Sequence, residues 1–108
     1  MIKNTALEYF RAFARKDINA LREMFDVNVV LRDWEIFAGG VDAVIDASAK
    51  IFNSVDTLSV TPINVSQNGN VVIAELKIDI NSSETNKVVD ILEFTEGGKI
   101  SAIRAFKG

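Results

Sequence analysis

Apolar residues open the chain at helical spacing: Ile2, Ala6, Tyr9, Phe10 and Phe13 recur at steps of three and four, which places them on one side of a helix over residues 3–15. Lys16-Asp17 interrupts the pattern, and Asp17 is positioned to cap a second helix whose stripe is Ile18, Leu21, Met24 and Phe25. The period then changes. Residues 27–35 alternate Val29, Leu31 and Asp33 against Val30, Arg32 and Trp34, as a strand with two unlike faces does. After the Gly39-Gly40 break, helical spacing returns over 41–53, with Val41, Val44, Ile45, Ser48 and Phe52 on one side.

From residue 57 onward the period is two. Residues 57–66 read as a strand in which Pro62 marks an edge or a bulge, and Asn68-Gly69 turns the chain into a strand over 70–81. There Val72, Ala74, Leu76, Ile78 and Ile80 share one face, with Glu75, Lys77 and Asp79 on the other. The polar run Asn81 to Asn86 turns into a strand over 87–95, and Glu96-Gly97-Gly98 turns into a last strand over 99–106. Three helices before an antiparallel meander, with one strand between the second and third helices, predict an α+β fold in which a curved antiparallel sheet wraps the helices as an open-ended cone.

Two aspartates break this pattern on the inside. Asp33 falls in line with Val29 and Leu31, and Asp90 with Val88, Leu92 and Phe94. An ionised carboxylate facing a core is costly unless it is paired, hydrogen-bonded or neutralised. An acid–base pocket is the expected reason for tolerating it twice.

Composition narrows the chemistry. With 108 residues, 48% of them hydrophobic, and a single proline, one domain over 1–108 is expected. Cysteine and histidine are absent, which excludes thiol nucleophiles, histidine bases, serine–histidine triads and ordinary zinc sites. Proton chemistry then falls to Asp, Glu, Tyr, Lys or water. The formal charge of −3, with acids interleaved among scattered Lys and Arg, argues against a nucleic-acid surface. The amino-terminal segment carries Glu8, Arg11 and Arg15, so neither a signal peptide nor a membrane span is expected, and a cytoplasmic location is.

In this order and spacing, Tyr9-Phe10-Arg11-Ala12-Phe13 with Lys16-Asp17-Ile18, Leu21 to Phe25 with Val29-Val30-Leu31-Arg32-Asp33, the Gly40 to Ile45 helix start, and Asp90 to Phe94 through Gly98-Lys99-Ile100 to Arg104-Ala105-Phe106 resemble the nuclear transport factor 2-like superfamily. That cone-shaped, cystatin-like fold includes ketosteroid isomerases and SnoaL-type polyketide cyclases. The resemblance spans nearly the whole chain. It implies that Asp33, at the end of the first strand, matches the isomerase general base. Tyr9, eight residues before Asp17, matches the tyrosine that donates to the oxyanion, and Asp90 matches the aspartic acid kept protonated beside it.

What the resemblance implies is an isomerase-like or cyclase-like enzyme without metal or cofactor, with Asp33, Tyr9 and Asp90 as its catalytic set, working on a small apolar carbonyl-containing or amphipathic molecule. Phe10, Phe13, Trp34, Phe37 and Phe52 would wall the pocket together with Arg104, which shares the phase of Ile100, Ala102 and Phe106 and would pair with a pocket carboxylate or reach solvent. Each has a structural alternative: Asp33 could bond the amides of the Phe37-Ala38-Gly39 turn, Tyr9 could be core, and Asp90 could mark the fold alone. Trp34 stands where the steroid enzymes carry proline, and Tyr9 is the only tyrosine, so a steroid-sized site is not expected. The alternatives are a ligand-binding protein without turnover and an interaction domain. By analogy of fold, the outer sheet face with Glu75, Lys77, Asp79, Val89 and Ile91 would form a homodimer.

Overall fold

The computed structural model describes residues 1–108. In chain order the elements are α1 (Ile2–Ala14), α2 (Ile18–Met24), β1 (Phe25–Arg32), β2 (Phe37–Gly39), α3 (Val41–Ser54), β3 (Leu58–Asn68), β4 (Val71–Ile80), β5 (Glu84–Phe94) and β6 (Ile100–Lys107). The helical stripe of α1 buries Ala6, Tyr9, Phe10 and Ala12, while Glu8 and Arg11 pair on its outer side. The helix stops where Lys16 adopts φ +59°, a left-handed conformation uncommon for a residue with a side chain. Its ammonium donates to the carbonyls of Val55 and Asp56, tying this corner to the start of β3. Asp17 caps α2 as its position predicts, accepting from the Ala20 N–H at 3.1 Å. Phe25, expected on the helical stripe, instead begins β1 and stays buried there.

Six strands form one sheet in the order β2-β1-β6-β5-β4-β3. Every pairing is antiparallel as expected except one: β1 lies parallel to β6. A parallel pair joins strands far apart in sequence, which alternation within either strand does not reveal. Strand β2, a three-residue partner of β1, also falls outside the expected set.

Bulges bend the sheet. One interrupts β3 between Pro62 and Asn64, where the proline removes a ladder donor on the edge strand. Another leaves Ser101 without a partner, because Phe94 pairs with Ile100 and Glu93 with Ala102. Helix α1 packs on β3 and β4, and α3 packs on β1 and β2. The core between helices and sheet is closed by side chains such as Leu21, Val44, Val72, Leu92, Ile100 and Ile103. Burying one such aliphatic side chain contributes ~1.5–3 kcal/mol. No helix is long and apolar enough to cross a membrane.

Candidate functional site

Beside that core the bent sheet and the helices line a mostly apolar, partly open cavity of about 150 Å³. α1 contributes Tyr9, Phe10 and Phe13, α3 contributes Ser48 and Ile51, and β4 contributes Leu76, Ile78 and Ile80. Asn86, Val88 and Asp90 enter from one face of β5, and Ile103 and Ala105 from β6. Asp33 and Trp34 complete the wall from the turn after β1. The three residues expected to share chemistry, Tyr9, Asp33 and Asp90, are therefore brought to one cavity.

Asp33 reaches it differently from the expectation. Strand β1 ends at Arg32, so Asp33 is not a dry residue on a strand face. It opens a tight turn in which its own N–H donates to the Ile36 carbonyl at 2.9 Å. Its Oδ1 accepts the N–H groups of Glu35 at 2.7 Å and Ile36 at 2.6 Å. This is an Asx-type turn, and it holds the carboxylate in one orientation. The amides that bind it belong to Glu35 and Ile36 rather than to the Phe37-Ala38-Gly39 segment. Asp33 is half-buried, and the deeply buried aspartate is Asp90.

Asp90 is 9% exposed and Tyr9 5%. No side-chain polar atom sealed inside the protein lacks a partner, and the Tyr9 hydroxyl and the Asp90 carboxyl open on the cavity. Burial raises the Asp90 carboxyl from its ordinary 3.8 to about 7, and the negative charge of Asp33 adds to the rise. Tyr9 is also pushed upward, first by burial and then by the charge of Asp90, so it remains a hydroxyl donor. Electrostatic coupling thus runs from Asp33 to Asp90 to Tyr9. Ser48 donates to the Val44 carbonyl at 2.9 Å, which satisfies its hydroxyl on α3. No group of His, Cys, Asp or Glu has the arrangement of a metal site.

The expected walls divide. Phe10 and Phe13 line the cavity, and Trp34 lies at its mouth, 47% exposed, with the Lys107 ammonium 5.8 Å above its ring. Phe52 stands behind the wall, edge-on to Phe13 at 4.8 Å. Phe37 does not belong to the cavity. It is 64% exposed on β2, where the Arg32 guanidinium covers its ring at 4.6 Å. Arg104 is a second correction. Strict alternation from Ile100 sends it inward, but unpaired Ser101 shifts the phase, so Ile103 and Ala105 face the cavity. Arg104 then lies on the outer face, where it pairs with Glu93. Asn86 lies outside the expected set because it sits in a run that reads as turn, whereas β5 begins at Glu84.

Comparison with known proteins places this geometry in a family. No curated protein sequence matches the chain. Among solved structures, the epoxide hydrolase/cyclase-like enzyme SalBIII of salinomycin pyran-ring formation is 24% identical, with 99% of this chain and 90% of that one covered and a TM-score of 0.85. A ketosteroid isomerase candidate from Kribbella flavida is 14% identical, with 99% and 77% covered and a TM-score of 0.87. An epoxide hydrolase of the LEH-like type from M. tuberculosis is 14% identical, with 99% and 83% covered and a TM-score of 0.84. At these identities the likeness establishes the nuclear transport factor 2-like fold. The profile of the SnoaL-like domain matches residues 6–103, and the chain belongs to the SnoaL-like domain family.

Proposed function

We propose that the protein is a cofactor-independent enzyme of isomerase or cyclase type, in which Asp33 acts as general base on a small apolar carbonyl compound. The observation that carries this reading is the opening of Asp33, Tyr9 and Asp90 on one apolar cavity. The Asp33 carboxylate takes a proton from the carbon beside the carbonyl, and the electron pair of that C–H bond moves onto the carbonyl oxygen as an enolate. Tyr9 and the protonated Asp90 donate hydrogen bonds to that oxygen as its charge grows. Asp33 then returns the proton at a different carbon, which is isomerisation, or the enolate carbon attacks a second carbonyl, whose oxygen takes the proton from Asp33 as the ring closes. The turn around Asp33 supports the assignment, since two amides fix the orientation a base needs. Membership of the SnoaL-like family and the cyclase-like and isomerase-type neighbours are consistent with it.

A cyclic β,γ-unsaturated ketone, followed by the ultraviolet band of its conjugated isomer, tests the reading. Asp33→Asn should lower turnover by ~10²–10⁴-fold, with Asp33→Glu keeping part of it. An unchanged rate in Asp33→Asn would sink the proposal. The same reading includes a second copy of the chain on the outer sheet face, where Ile73, Val89, Ile91 and Phe106 are cross-strand neighbours and Ile73 and Phe106 are exposed.

A further inference from the structure

Size and charge restrict what enters the cavity. A volume of about 150 Å³ is that of an apolar protein cavity that accepts a single benzene ring. The acidic side chains on its wall are Asp33 and Asp90, with no lysine or arginine among the lining residues. Three cations close to lining residues in the sequence are engaged outside the cavity. Arg32 stacks on Phe37, Arg104 pairs with Glu93 on the outer face, and Lys107 lies over the Trp34 ring at the mouth. A carboxylate or phosphate drawn inside would lose its water, gain no counter-charge and face Asp33.

The inner end imposes a second condition. Below about pH 7, where Asp90 keeps its proton, both Tyr9 and Asp90 have a hydroxyl hydrogen to offer the cavity they line, and a donor requires an acceptor lone pair. An ammonium group has none, so it leaves both donors unmet even though Asp33 attracts it. A ketone oxygen meets both.

We infer that the substrate class of this site is the uncharged carbonyl compound of about one six-membered ring, its oxygen toward Tyr9 and Asp90 and its acidic hydrogen toward Asp33. The orientation rests on the proposed role of Asp33, while the size and charge limits rest on the cavity alone. A two-ring ketone does not fit whole within that volume, and acids are excluded by charge.

Calorimetric or NMR titration with four probes separates these limits, at a pH low enough to keep Asp90 protonated. The probes are 2-cyclohexen-1-one, cyclohexanecarboxylate, cyclohexylammonium and the two-ring ketone 2-decalone. The enone should bind saturably, and each of the other three at least ~10-fold more weakly. Phe13→Ala removes the ring between the cavity and Phe52; it should bring 2-decalone to within a few-fold of the enone. Carboxylate or decalone binding to the unaltered protein as tightly as the enone overturns the inference, as does failure of the enone to bind. Turnover is read separately, from conversion of 3-cyclohexen-1-one to the conjugated enone. Selective binding without conversion overturns the enzyme reading and leaves the size and charge limits standing.

Discussion

Between pH 3.8 and 7 the folded protein holds a proton on Asp90 that the unfolded chain has already released, so stability falls as the pH rises through that window. The contribution is fully present below about 3.8 and is lost once the pH passes about 7. Asp90→Asn removes the titration while keeping the shape. It should match the parent protein in urea unfolding at the acid end and exceed it at the alkaline end, by at most ~4 kcal/mol for a shift of about three units. Equal midpoints for the two proteins at both ends would contradict the burial of an ionisable group there. The same proton serves the proposed chemistry, so turnover should decline above pH 7. Tyr9→Phe should lower the rate by ~10²–10³-fold without moving that decline, since one donor is lost and Asp90 remains. The inward position of Asp90 was readable because Val88, Leu92 and Phe94 set a phase that β5 keeps throughout. The setting of Asp33 was not, because alternation continues across residues 33 and 34 after the strand itself has ended at Arg32.

At the scale of elements, the join between β2 and α3 makes a sharp demand on one residue. Gly40 has φ +90° and ψ 151°, a conformation essentially reserved for glycine, and its N–H donates to the Val29 carbonyl at 2.8 Å. A methyl group there would meet nothing within 4 Å, so Gly40→Ala costs backbone strain alone, ~1–3 kcal/mol in denaturant unfolding. Gly39→Ala, equally uncrowded and at an ordinary φ, should cost less than half as much and serves as the control. Elements with a local cause were legible in sequence. The α1 and α3 stripes, the Asp17 cap and the Asn68-Gly69 hairpin, where Gly69 has φ +61°, each depend on residues within a few positions of one another. The unpaired Ser101 was not legible. Whether Arg104 faces in or out is decided by how β6 registers against β5, and registry is a property of two strands. Asn86 was hidden in the same way, since pairing with Ile78 is what extends β5 back into polar sequence.

For the molecule as a whole, the apolar patch on the convex side gives a test of assembly. If it seats a second copy, light scattering at micromolar concentration should report two chains, and Phe106→Lys should reduce this to one while leaving enone binding in the cavity unchanged. A single chain in the parent protein would remove the dimer from the proposal. The parallel contact between β1 and β6 reaches further, into the order in which the protein is made. Val30 is joined to Ala102, so the strand that leads into the Asp33 turn has only three-residue β2 beside it in the sheet until β6 folds back. The β3–β5 meander joins strands adjacent in the chain, whereas closing so long a loop as that between β1 and β6 is slow. The binding cavity is walled by α1 and β6 together, so it exists only where β6 has closed the sheet against β1, and a bound ring ketone would report that closure rather than mere compactness.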